Sequence, residues 1–211
     1  MDFEDIIKNR RTVRCFKEQD KISDEDIKTI LESARWAPSA KNLQPLEYII
    51  IKDESIKKEL SVACRQNQPE KVPLVIGVIG NLNISKKIGK ISTHDTTTEY
   101  KGTHIFIYMD AGAAIQNMLL TATKKEIDSL WISSFDEKEI YRILKLPEDY
   151  IPLAILCFGH RAKPPFAPKK RTIEERLYLN QFDEGKKQDL SYLEECKLIN
   201  EERGELGKYK N

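Results

Sequence analysis

Helices packed around a sheet, as an α+β or α/β layered domain, is the fold class this sequence predicts, and three observations predict it. Three six-residue runs, 46–51, 74–79 and 153–158, are almost continuously apolar, the pattern of strands covered on both faces. An amphipathic segment, 23–36, carries both a start and a stop signal for a helix. Between the second and third runs lies Asp110-Ala-Gly-Ala-Ala-Ile-Gln-Asn-Met-Leu-Leu-Thr-Ala122, whose small side chains let a helix backbone approach its neighbours closely, so this is read as the central helix.

In chain order, residues 2–9 alternate acidic and apolar side chains at a spacing that suits a short helix ending near Arg10-Arg11, after which the chain enters a loop. The next helix opens at Ser23 as N-cap, with Asp26 three residues on. Ile22 and Ile27 form a hydrophobic staple, and Ile27, Ile30, Leu31 and Ala34 share one face. It stops near Trp36, because Pro38 disfavours helix in the residue before it. The segment 81–104 has little apolar content and several threonines, and reads as a long loop. A fourth strand is expected at 129–133, then a helix opened by Asp136 with Glu139 three residues on. From Asp183 the chain is strongly charged, and its spaced leucines suggest a helix lying on the body or on a partner subunit.

The 211 residues suffice for a substantial core. With 40% hydrophobic and 33% charged side chains, disorder over the whole chain is not expected. Thirty-five basic against thirty-four acidic residues give a net charge of +1, so no global field draws the protein to nucleic acid or an anionic membrane. Cys15, Cys64, Cys157 and Cys196 are far apart and form no CxxC pair, which reads as packing cysteines in a reducing compartment. No stretch approaches the roughly 20 apolar residues that span a bilayer. The opening residues lack a secretory signal's basic and apolar regions, so a cytoplasmic location is expected. His94, His104 and His160 lack metal-ligand spacing, and no GxSxG elbow supports a hydrolase.

Three clusters could carry chemistry. Arg10-Arg11-Thr12-Val13-Arg14 sets three guanidinium groups and a hydroxyl at the end of a short helix, and arginine's planar fork suits phosphate or a flavin's carbonyl edge. A solvated basic turn would look the same. Ala37-Pro38-Ser39-Ala40-Lys41-Asn42-Leu43-Gln44-Pro45 is a proline-bounded loop that offers a hydroxyl, an ammonium and two amides. It is also a plain helix-to-strand connection by composition. Lys169-Lys170-Arg171 follows a proline-rich stretch and could close on a phosphate, or be a solvated patch.

Together, in this order and at these spacings, the clusters resemble the nitroreductase family. The resemblance runs through RRTVRCF at 10–16, ARWAPSAKNLQPLEYIIIKD at 34–53, DAGAAIQNMLLTA at 110–122, WISSFDEKEIYRILKLPEDYIPLAILCFGH at 131–160 and PKKR at 168–171. It implies an α+β nitroreductase-like fold, a central mixed β-sheet surrounded by helices, in an intertwined homodimer with FMN sites at the interface. Residues 1–182 would be the FMN-binding domain and 183–211 a charged C-terminal helical extension. Carried over by position, Arg10, Arg11, Thr12 and Arg14 would hold the phosphate and the pyrimidine side of the flavin, and Lys169 and Arg171 would close on the phosphate or ribityl chain. Pro38, Ser39, Ala40 and Asn42 of the other subunit would line the ring. Gln66 or, nearly as well placed, Gln68 would supply an amide contact, and Ile132, Ser133 and Ser134 match the stretch whose backbone lies beside the flavin N5. Leu46 stands where many relatives have Trp. The Ser133-Ser134 pair stands partly where relatives have glycine or an acidic residue, next to the reactive nitrogen.

The implied activity is ping-pong hydride transfer from NADH, NADPH or a deazaflavin to an electron-poor small molecule such as a nitroaromatic or quinone. A flavin-storing protein, or reductive dehalogenation on the same fold, are the alternatives.

Overall fold

A computed structural model of the chain describes residues 1–17, 20–85 and 103–182. The expected C-terminal helix, 183–211, and most of the expected loop at 81–104 lie outside the described residues. The chain divides into two compact units, Met1–Pro165 and one that begins at Phe166.

The first unit opens with α1 (Phe3–Asn9), capped by Asp2, whose carboxylate accepts from the Asp5 N–H at 2.8 Å. α2 (Asp24–Arg35) starts as read: the Ser23 hydroxyl accepts from the Asp26 N–H at 3.0 Å and meets the Asp26 carboxylate at 2.6 Å, so the two ends of the cap hold each other. A single 3₁₀ turn, Ala40–Asn42, leads into β1 (Leu46–Ile51). Then follow α3 (Glu54–Cys64), α4 (Gln68–Lys71), β2 (Leu74–Asn81), α5 (Leu82–Ser85), α6 (Thr103–Lys124), β3 (Asp128–Ile132), α7 (Glu137–Leu144) and β4 (Tyr150–Gly159). α3 was not anticipated, yet its signals are local. Asp53 caps it through Ile56 N–H at 3.0 Å, and Ile56, Leu60 and Ala63 recur at helical spacing on the packed side.

The four strands lie in the order β1-β2-β4-β3. All three ladders are antiparallel, which corrects the expected mixed sheet; among the described residues the parallel contact is the isolated bridge between Thr12 and Ser129. Both faces are covered, as the unbroken apolar runs require. On one face α2 and α6 pack through Ile27, Ile30, Ile115 and Met118 against Leu74, Ile76, Val78, Leu156 and Phe158. On the other, α3 and α7 bring Leu60, Ile140 and Ile143 to Val75, Ile155 and Cys157. A bulge between Val78 and Ile79 breaks the alternation of β4, so that the consecutive residues Leu153 and Ala154 both join the first face. A Cβ on Gly80 would lie 2.4 Å from Ile107 Cδ1 of α6, so a larger residue there would have to displace that side chain.

α6 also corrects the reading that no segment approaches membrane-spanning length. Ile105–Lys124 is long and apolar enough by length and composition, with a mean hydropathy of 1.2. Its buried Ile107, Ala111, Ala114, Ile115, Met118 and Ala122 make it a partly buried core helix.

In the second unit, Glu174–Arg176 form a 3₁₀ turn, and Tyr178 and Phe182 stack at 4.6 Å between centroids.

Candidate functional site

The arginine cluster is not a free turn. α1 ends at Arg10, and the following residues run extended along the edge of the sheet. Val13 N–H donates to the Ser129 carbonyl at 2.9 Å, Ala162 N–H to the Cys15 carbonyl at 2.9 Å and Lys17 N–H to the His160 carbonyl at 2.8 Å. Buried Val13 and Phe16 anchor this arm, which leaves Thr12 and Arg14 facing outward and Arg10 and Arg11 half-buried. Arg11 is turned back on the carbonyls of Lys8 and Arg10. Among the described residues neither Arg10 nor Arg11 is paired with a carboxylate. Burial, and then the charge of Arg11 beside it, lower the Arg10 pKa from its usual value. Two guanidinium groups are thus held together with no anion to offset them, which is costly unless an anion binds.

Gln68 joins this cluster. Its side-chain amide donates to the Arg14 carbonyl at 3.1 Å, and among the described residues its buried Oε1 has no hydrogen-bond partner. Of the two glutamines weighed from spacing, Gln68 is the one bonded to the cluster; Gln66 donates its backbone N–H to the Ser61 carbonyl at the end of α3. Ile132, the last residue of β3, is buried opposite Ile155, while Ser133 and Ser134 are exposed just beyond it. The turn after them is fixed by Asp136 N–H on the Ala63 carbonyl at 2.9 Å.

The proline-bounded loop is built differently. Lys41, Asn42 and Gln44 all have left-handed backbone, with φ of 51, 56 and 51°. None is glycine, so the conformation is strained and must be imposed by neighbours. Ser39 Oγ accepts from Gln44 N–H at 3.0 Å, and Ala40 N–H donates to both Asp110 oxygens at 3.1 and 3.3 Å. Asp110 comes from the buried side of α6, and burial raises its carboxyl above the ordinary range against the lowering pull of the Ala40 N–H. With Pro38, Ser39 and Gln44 it lines a cavity of about 560 Å³ between α2 and β1, whose walls include Ile27, Leu31, Leu46 and Tyr48.

The fold places these two clusters apart. The loop feeds β1, while the arginine arm is bridged to β3, and these strands are the opposite edges of the sheet. Three inter-strand spacings, about 14 Å, separate them. Lys169 is exposed, and Arg171 is engaged within its own segment, 3.5 Å from the Glu175 carboxylate.

Sequence reasoning missed Asp110 as a loop anchor, although one acid inside a run of small and apolar residues was a signal. Metal chemistry gains no support, since no cluster of His, Cys, Asp or Glu able to hold an ion exists among the described residues.

Comparison with known proteins matches this arrangement to one family. A Bacillus subtilis (strain 168) protein named FMN reductase (NADPH) is 28% identical over 191 residues, which cover 82% of this chain and 73% of its own. The crystal structure of a nitroreductase family protein from Clostridium difficile 630 superimposes with a TM-score of 0.71 at 26% identity, covering 86% of this chain and 100% of that one. The structure of B. megaterium NfrA2 gives a TM-score of 0.78 over 99% of this chain and 86% of that one; at 20% identity this is a likeness of fold. The nitroreductase family profile itself matches residues 7–76 and 92–160, which take in the arginine arm, the loop, α6 and β3, and the chain belongs to the nitroreductase family.

Proposed function

We propose that the protein is an FMN-dependent oxidoreductase that passes hydride from NADH or NADPH to an electron-poor small molecule, in a homodimer whose two chains share each flavin site. The observation that carries this reading is the uncompensated arginine pair at Arg10 and Arg11 beside the unpartnered, buried Gln68 Oε1. FMN fits both. Its phosphate supplies the missing anion, and its ring N–H or ribityl hydroxyls supply a donor for the glutamine oxygen. The relative named FMN reductase (NADPH) supports the same cofactor and donor.

The residues divide the work by chemistry. Arg10, Arg11, Thr12 and Arg14 would hold the phosphate and pyrimidine side. When bound, FMN supplies the redox chemistry, taking up hydride from the donor and giving it to the acceptor. The cationic groups favour negative charge on the reduced ring, and backbone at Ser133 and Ser134 offers a donor toward N5. No protein nucleophile is required.

Topology supports a second copy: one chain sets the loop and the arginine arm at opposite sheet edges, and a partner's loop would line the same flavin. Trp36 at the end of α2 and Ile105, Tyr108 and Met109 of α6 are exposed at 74%, 54%, 56% and 65%, apolar surface that a second copy would cover.

Purified protein should be yellow, with FMN released on denaturation and reduced anaerobically by NADH or NADPH. A colourless preparation that takes up no added FMN sinks the reading, and a stable monomer that retains FMN sinks the shared site.

A further inference from the structure

We propose that Asp110 is a positioning residue: from α6 it caps the 3₁₀ turn at Ala40 and so holds residues 38–44 in the shape that lines the flavin. This rests on the FMN reading above.

A 3₁₀ turn needs an acceptor for its first N–H groups, and Ser39 stands where a capping side chain belongs. The Ser39 hydroxyl makes no such cap; it accepts from Gln44 N–H instead. The vacated role falls to a carboxylate 70 residues away, whose two oxygens lie 3.1 and 3.3 Å from Ala40 N. The turn it caps contains two of the three left-handed residues, Lys41 and Asn42. Held from both ends, by Asp110 at its start and by Ser39 across its mouth, the loop keeps a conformation that non-glycine residues avoid.

Asp110 is not needed to join the helices. α6 is already tied to α2 by the Asn117 side-chain amide on the Ser33 carbonyl at 3.1 Å, and by the apolar contacts of Ile27, Ile30, Ile115 and Met118. Among the described residues its hydrogen bonds go to Ala40 alone. A carboxylate buried to 7% exposure carries a desolvation cost, and the loop is where that cost is returned. The acceptor, rather than the charge, is what the turn uses, so asparagine should replace it and alanine should not.

The test uses Asp110→Asn and Asp110→Ala in the full-length protein, with two readouts. Trypsin cleavage after exposed Lys41, followed by mass spectrometry without added flavin, reports the loop directly; equilibrium titration with FMN reports its effect on the site. In D110A, cleavage after Lys41 should accelerate about tenfold while other sites keep their rates, and FMN affinity should fall about tenfold. D110N should stay within about threefold of wild type in both. Unchanged cleavage in D110A, or equal loss in D110N, overturns the proposal. Faster cleavage with unchanged FMN affinity overturns its flavin half. If the wild type takes up no FMN, the cofactor reading fails, while the Lys41 cleavage rates still decide whether Asp110 shapes the loop. Should D110A not fold, hydrogen exchange in the wild type decides: an Ala40 amide that exchanges as fast as an unprotected one overturns the cap.

Discussion

Two basic clusters flank the start of β3, one residue apart in their attachment, and they are completed in opposite ways. At Asp128 the buried carboxylate takes Arg161 N–H at 2.7 Å and its guanidinium Nε at 3.0 Å, and Asp20 beside it takes His160 N–H at 2.6 Å and ring Nδ1 at 2.8 Å. His160 and Arg161 each have an acid there. At Ser129 the arm carrying Arg10, Arg11 and Arg14 is fastened through its backbone, and among the described residues Arg10 and Arg11 have none. The contrast separates two uses of charge: a cluster that satisfies itself holds the fold, and a cluster that leaves like charges together is a place for an anion. The second cavity, about 430 Å³ beside Lys17, Asp128, His160 and Arg161, belongs to the self-satisfied corner.

Exchanging the effects of substitutions in the two corners would break this comparison. The largest expected effect is Asp128→Ala, which strands the Arg161 guanidinium and should cost about 2–3 kcal/mol in denaturant unfolding while leaving FMN affinity within error. Next, Arg10→Ala should weaken FMN binding by about 1–2 kcal/mol in fluorescence titration, yet leave the flavin-free protein's unfolding midpoint unchanged or higher, because a like-charge contact is relieved. If Arg10→Ala destabilised the flavin-free protein and spared FMN, the arginine arm would be structural.

Acid sharpens the same contrast. Burial pushes the Asp20 carboxyl up, but hydrogen bonds from the His160 backbone and ring and from Lys21 N–H outweigh it and leave the pKa below its ordinary 3.8. A carboxyl depressed in the folded state contributes stability above its unfolded pKa and loses it as pH falls through the folded value. Urea midpoints should therefore decline below about pH 4, and Asp20→Asn should flatten that decline. The smallest effect belongs to the exposed Lys8–Glu4 pair at 3.3 Å: Lys8→Ala should change stability by under about 0.5 kcal/mol.

What could be read from the sequence was what local chemistry decides. Ser23 and Asp136 cap their helices as their positions suggested, and the runs at β2 and β4 became strands with both faces buried, whereas the edge strand β1 stays partly open, with Ile50 exposed. β2 and β4 extend beyond the runs that announced them, to Asn81 and back to Tyr150, because pairing partners rather than hydrophobicity set their ends. The capping signal of α3 at Asp53 was present and passed over. Strand direction was not legible, since each apolar run fits a parallel or an antiparallel neighbour. Neither was the role of Asp110, because a hydrogen bond across 70 residues leaves no periodic trace. For Arg10 and Arg11 the sequence offered either a solvated turn or a cradle, and their lack of a carboxylate partner among the described residues favours the second.

The stitching of the N-terminal arm bears on how such a protein is made. Residues 10–17 take backbone partners from Ser129, His160 and Ala162, nearly the whole length of the first unit away. A chain still emerging from the ribosome carries its arginines long before it owns the strand that aligns them. The arginine arm is thus among the last features of the first unit to be assembled.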